Sequence, residues 1–284
     1  MSHVHLVCDS TADIEPDEWA ERDVTMVPLR VIFGEEELRD QIDISTEDFY
    51  RRMRDDPNHP HTSQPTPAEF EAVFRRLGAD GGPIVCTTIA AELSGTHASA
   101  AQARAALPDL DIRVVDTRTV GPGHFAAVAL AAAVRDRGGD ADAVVAALRR
   151  LQERQRLVFT VETLEYLRRG GRIGTARALL GTVLSIKPIL ELREGRVEAV
   201  DRVRTYQRAL DRLVGEVAAA SREWGPTVAI TAHAASPVQA AAIAGRVAEV
   251  TGRMPPILQV GAVLGCHAGP GAFGIAMHPA LLEG

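Results

Sequence analysis

Short runs of β-branched and aliphatic residues alternate along this chain with longer amphipathic, alanine-rich stretches. The pattern predicts strands over VHLVC (4–8), VPLRVIF (27–33), IVCTT (84–88), IRVVD (112–116), LVFTV (157–161), PILEL (188–192), TVAITA (227–232), ILQV (257–260) and FGIAM (273–277). Strands separated by helical stretches are the mark of a mostly parallel sheet covered by helices, so the expected class is α/β. Helix starts are marked too. Thr66-Pro67-Ala68-Glu69 spells a capping box with proline at the first helical position, and Ser236-Pro237 opens a helix that should stop at Gly252. The stretch ADAVVAALRRLQERQ (141–155) is expected to bridge an N-terminal α/β domain, residues 1–153, and a C-terminal one, residues 154–284.

A length of 284 residues suits two such units. Aromatic residues make up only 4% of the chain, so Ala, Val, Leu and Ile must build the core. A net charge of −7 argues against a nucleic-acid partner, which would call for a basic surface. The three cysteines, Cys8, Cys86 and Cys266, have no paired spacing, so neither a disulfide framework nor a zinc site is indicated. The N-terminal stretch lacks a basic, then apolar, leader pattern. The longest apolar run, FAAVALAAAV (125–134), falls well short of the ~20 residues that span a bilayer. A cytoplasmic protein without stable membrane insertion is expected.

Several segments carry possible chemistry. GPGAFG (269–274) spells G-x-G-x-x-G, but a predicted strand follows it and the required acidic residue about 20 positions on is missing. GPGHFA (121–126) reads as a tight strand-to-helix turn, because Pro122 removes a donor that a phosphate cradle would want. Thr62 and Ser63 stand just ahead of the capped helix, and Ser94-Gly95-Thr96 just ahead of an alanine-rich one. Hydroxyls at helix starts suit an anion, and capping suits them equally. Asp9 and Asp13 of DSTAD could face a metal, yet with no third ligand in sight they read better as holding neighbouring backbone. Arg168, Arg169 and Arg172 surround a Gly-Gly turn, either as a helix C-terminus or as a docking patch for an acidic partner or a phosphate. His267 sits among four glycines and a proline in GCHAGPGAFG, with little side-chain company.

Taken in order, these stretches resemble the DegV family of bacterial fatty-acid-binding proteins. The match runs through DST after the first strand, TSQPT, LSGT, LEYLRRGGRIG, IKPIL, VRT (203–205) and the G-x-H-x-GPGA-x-G loop. The resemblance implies two α/β domains with mostly parallel sheets flanked by helices, enclosing one long-chain fatty acid in a tunnel whose polar end lies near the domain interface. It implies that Thr62, Ser94 and His267, with Ser63, Gly95 and Arg204 nearby, hold the carboxylate. It further implies no cofactor, no metal and no catalytic residue of the chain's own. A separate ATP-binding fatty acid kinase subunit would phosphorylate the bound acid for phospholipid synthesis, docking at Arg168, Arg169 and Arg172. His97 stands where the family usually has a tyrosine, and Gly121 and Phe125 replace a frequent serine and glycine. Two rival chemistries remain at this level: a lipid or ester hydrolase using Ser94, His267 and either Asp9 or Asp116, and a binder of phosphorylated metabolites.

Overall fold

The computed structural model describes residues 3–56, 58–181 and 186–281, without the side chains of residues 16 and 17. In chain order the elements are β1 (His5–Asp9), α1 (Pro16–Glu21), β2 (Val24–Val27), β3 (Arg30–Phe33), β4 (Glu36–Arg39), α2 (Thr46–Asp55), β5 (His61–Ser63) and α3 (Pro67–Leu77). Then come β6 (Ile84–Thr88), α4 (Thr96–Ala105), β7 (Ile112–Asp116), α5 (Pro122–Asp136), α6 (Ala141–Arg154), β8 (Arg156–Thr160) and α7 (Glu165–Arg169). The chain continues through β9 (Lys187–Arg193), β10 (Arg196–Val203), α8 (Tyr206–Trp224), β11 (Thr227–His233), α9 (Pro237–Thr251), β12 (Ile257–Gln259), α10 (Ala262–Ala268) and β13 (Phe273–Pro279).

The first sheet, in the order β2-β1-β6-β7, is parallel throughout. Both its faces are covered, which is why β1 and β6 read as unbroken apolar runs. Val7 faces Phe70 and Phe74 of α3, whereas Leu6 and Cys8 face the α5–α6 layer. The second sheet, ordered β10-β9-β8-β13-β11-β12, departs from the expected parallel arrangement, for only β11 and β12 run parallel. Two features cause this. The turn at Glu194-Gly195, with φ of 47° and 76°, folds β9 and β10 into a hairpin. The last strand, β13, then inserts antiparallel between β8 and β11. A small antiparallel sheet, β4-β3-β5, completes the set. The run read as one strand at 27–33 breaks at Pro28-Leu29, so β2 joins the large parallel sheet and β3 the small one.

The α8–α9 layer covers the outer face of the second sheet through Leu213, Val217, Ile243 and Val247. Its inner face meets Leu29, Val31 and Phe49 from the first half of the chain, together with Val263 and Cys266 of α10. A division at 153/154, which we propose on the strands alone, thus separates the parallel sheet from the mixed one but leaves this core shared. The capping box at the start of α3 is formed as written: Thr66 accepts from the Glu69 amide, and the Glu69 carboxylate accepts from the Thr66 amide at 2.8 Å. Thr66→Ala is expected to lower stability by about 1 kcal/mol, read as a reduced urea midpoint at unchanged slope. Ser236 occupies the cap position of α9, but its hydroxyl donates to the Ala234 carbonyl instead of closing the helix.

Candidate functional site

Between the inner face of the mixed sheet and the α10 side of the molecule lies an apolar cavity. The space among its lining side chains, open mouth included, is about 900 Å³. Leu157, Phe159 and Leu192 supply the sheet side, and Leu29, Val263 and Leu264 face them. Against this lining stand four polar or charged side chains: Thr62, Ser94, Arg172 and His267.

Each arrives from a different element. Thr62 is the middle residue of β5, paired with Val31. His267 is not in a turn as its neighbours suggest. It is the penultimate residue of α10, and the glycine-rich loop begins after it. Its Nε2 lies 2.9 Å from the Thr62 hydroxyl, a contact between residues 205 positions apart. Its Nδ1 is buried with no partner among the described residues. Gly170, at the end of α7, makes this placement possible: a Cβ there would lie 2.0 Å from Nδ1. Gly269 is equally constrained, with φ of 73° and the Tyr166 ring 2.2 Å from where its Cβ would stand. Two glycines thus let α7 and α10 touch.

Burial lowers the His267 pKa to about 4, and the positive Arg172 and then His59 push it the same way. The imidazole is therefore neutral at physiological pH. An unfolded histidine titrates near 6.5 and the folded one near 4, so the unfolded chain binds more protons between those values. The stability this group contributes is complete above pH 6.5 and is lost as pH falls towards 4. Urea midpoints should decline over that window, and His267→Asn should flatten part of the decline. An unchanged slope would contradict the burial of this ring.

The other expected residues are placed less centrally. Ser63 follows Thr62 on a strand, so its side chain leaves by the opposite face, and it does not line the cavity. Gly95 lies in an adjoining groove with the Gln64 side chain packed over it, leaving no room for a Cβ. Arg204 is exposed just beyond β10, seven residues past the lining residue Val197, and is not part of the cavity wall. Arg168 and Arg169 are half-exposed and both bond Glu165. Arg172 turns inward, donating from Nε to the Leu93 carbonyl at 2.9 Å and from Nη1 to the Gly170 carbonyl at 2.6 Å. It borders both cavity and groove. His97 bonds Thr88 at 3.2 Å and does not line the cavity.

The catalytic alternatives find no constellation. Ser94 pairs with the Thr96 hydroxyl at 2.9 Å, and the near nitrogen of His267 faces Thr62. Asp9 is fully buried, accepting from the Thr11 amide and hydroxyl and from the Ile89 amide. Asp116 accepts from the Ala91 and Arg118 amides. Among the described residues, no carboxylate is hydrogen-bonded to His267. The anion seat imagined at α3 is filled by its own Glu69. Asp13 accepts from the Gly261 amide ahead of α10, its carboxyl pushed well up by burial and by Asp40. Among the described residues, no three His, Cys, Asp or Glu side chains are grouped to hold a metal ion.

Fold and site together define an α/β protein built around an apolar cavity that carries a small polar cluster. A family model described as "Uncharacterised protein, DegV family" matches residues 3–280, and the chain belongs to that family. A DegV domain-containing protein of Streptomyces coelicolor is 39% identical over 285 residues, covering 97% of this chain and 98% of that protein. Among solved structures, a DegV family protein from Thermus thermophilus, described by its fatty acid binding, is 33% identical with a TM-score of 0.91, covering 98% of this chain and all of the other. A stearic-acid-binding protein from Eubacterium ventriosum is 26% identical with a TM-score of 0.92, covering 98% and 99% of the two chains. Bacillus subtilis DegV, described as a fatty acid binding protein, is 27% identical with a TM-score of 0.87 over the same shares.

Proposed function

We propose that this protein binds one long-chain fatty acid in the apolar cavity and presents its carboxylate to a separate ATP-dependent kinase subunit. The observation that carries the reading is the pairing of Thr62 with a neutral His267 beside Ser94 and Arg172, in a cavity otherwise walled by apolar residues. About fourteen buried methylenes would supply on the order of 11 kcal/mol of transfer free energy at ~0.8 kcal/mol each, before the cost of ordering the chain. The carboxylate cannot enter such a space unpaired. With Nε2 protonated, His267 donates to the Thr62 oxygen, which leaves the Thr62 hydroxyl proton free to bond the carboxylate. Ser94 supplies a second hydroxyl, and Arg172 a positive charge at the cavity edge. Neither hydroxyl neutralises the acid, so its oxygen stays nucleophilic towards the γ-phosphorus of ATP on the partner, with ADP leaving.

The phosphoryl transfer belongs to the partner in this reading, and the chain contributes binding and presentation without a metal or cofactor of its own. Arg168 and Arg169 form the exposed part of the proposed docking surface, and Arg172 connects it to the cavity. No helix among the described residues is long and apolar enough to cross a membrane, and we place the protein in the cytoplasm, where the kinase would meet it. Denaturing the purified protein and weighing the released lipid by mass spectrometry tests the class directly. One equivalent of long-chain acid supports it; ester hydrolysis by the chain alone, or displacement by phosphate in place of lipid, would sink it.

Arg172→Ala is expected to change the dissociation constant for palmitate less than threefold, because its bonds run to the main-chain carbonyls of Leu93 and Gly170 and not to the Thr62–His267 pair. Acyl-phosphate formation with the kinase should fall tenfold or more. Equal losses of binding and turnover would reject the docking role.

A further inference from the structure

Beside the cavity runs a polar groove that shares Leu93, Ser94, Arg172 and Val197 with it. One bank is the segment 89–95. It is anchored behind by bonds from the Ile89 amide to Asp9, the Ala90 amide to the Thr119 carbonyl, and the Ala91 amide to Asp116. The opposite bank is Arg196 and Val197, just past the tip of the β9–β10 hairpin, with Gly171, Arg172 and Gly174 beyond them. Gly195 at that tip lies flat on the segment: a Cβ there would be 3.1 Å from the Ala90 Cβ and 3.3 Å from the Glu92 Cβ. Among the described residues, no main-chain hydrogen bond joins the two banks. Polar contact between the hairpin and this part of the chain comes from Arg196 to Glu92 at 2.9 Å and from Arg118, which follows β7, to Glu194 at 2.5 Å. All four charged partners of the two ion pairs are about half or more exposed.

From this arrangement we propose that the hairpin tip is a salt-sensitive gate at the polar end of the cavity, parting from residues 90–92 to admit and release the fatty acid. The inference rests on the fatty acid reading above. Residues 89–91 are anchored through their main-chain amides to Asp9, Thr119 and Asp116; the hairpin tip is a two-residue turn projecting from the edge hairpin of the mixed sheet. Closure therefore depends on exposed ion pairs, which are individually weak and screened by salt. Parting the tip would carry Arg196 and Val197, which line the groove together with Ser94 and Arg172, away from them and widen the polar opening of the cavity.

The test uses the full chain loaded with parinaric acid, a naturally fluorescent long-chain acid, and follows its release to excess phosphatidylcholine vesicles by stopped flow. Raising the salt from 0.05 to 0.5 M should speed release about threefold to tenfold, as expected for loss of two exposed pairs. Glu92→Gln with Glu194→Gln should give the fast rate already at low salt, and Glu71→Gln, which removes an exposed pair on α3, should not. Glu92→Cys with Gly195→Cys should cross-link on oxidation and slow release tenfold or more, reversed by dithiothreitol; the native cysteines are all buried. Should the Gly195 variant fail to fold, the salt response and the glutamine pair decide. Binding with release indifferent to salt and to both glutamines, or to the cross-link where it forms, overturns the gate alone. No binding of the acid by the native chain overturns the fatty acid reading and the gate with it.

Discussion

Gly170→Ala should abolish most fatty acid binding although the added group is a single methyl. The new Cβ would stand 2.0 Å from His267 Nδ1 and 2.8 Å from Cε1, far inside van der Waals contact. The ring cannot retreat within the packed α7–α10 seam, because Gly269 already brings the backbone against Tyr166 on the same side. It must rotate off Nε2's contact with Thr62 or push the helices apart. Overpacking of this kind costs on the order of 1–3 kcal/mol, so the melting temperature should fall and affinity for palmitate should drop at least tenfold. Gly171 is the control. It has φ of 72° and nothing within 4 Å of its would-be Cβ, so Gly171→Asn, a residue that tolerates this backbone region, should leave affinity nearly unchanged. Similar affinity losses at both positions would mean that the turn's flexibility matters and the His267 contact does not.

Thr62→Val is the second large effect. The substitution keeps the shape of the side chain and removes only the hydroxyl that lies 2.9 Å from His267. A fatty acid entering the variant would leave its carboxylate short of one bond and the imidazole without its partner. Unpaired buried polar groups cost about 1–3 kcal/mol, so the dissociation constant should rise about tenfold to a hundredfold. Ser94→Ala should weaken binding less, since its hydroxyl shares its bonding with Thr96. Because Thr62 and His267 are in contact, their losses should not add: Thr62→Val with His267→Ala should bind about as poorly as the worse single variant. Fully additive losses in palmitate titrations would show that the two side chains act on the ligand separately, contrary to the relay proposed for them.

The sequence was most legible where local chemistry decides the outcome. The Thr66–Glu69 capping box, the Gly252 stop and the β6 and β7 strands stand as read, since helix caps and two-sided apolar runs need no distant partner. The strand expected at FGIAM, closing the glycine loop, forms as β13. Strands β4, β5 and β10 carry too many polar residues to show a period, and the Glu-Gly turn of the β9–β10 hairpin is a weak signal beside Asn-Gly or Asp-Gly. Missing that hairpin hid the mixed character of the second sheet.

The site divides along the same line. TSQPT, LSGT and the histidine loop stand out by residue type and family resemblance, so the sequence alone marks Thr62, Ser94 and His267 as candidates. Whether they met could not be read, for Thr62 and His267 are joined only by the packing of β5 against α10. Arg172 shows the limit most clearly. Its sequence neighbours, Arg168 and Arg169, pair with Glu165 at the surface, while Arg172, past the glycine turn, points to Leu93 and the cavity. Ser63 and Arg204 fall outside the cavity wall for reasons equally non-local: strand alternation and the length of β10. By itself, then, the sequence determined the elements, the caps and the stock of polar groups, because those follow from propensity and hydrogen bonding within a few residues. Tertiary structure alone decided which groups share the cavity, which imidazole is neutral and which glycine cannot change, because burial and contact are properties of surfaces brought together from far along the chain.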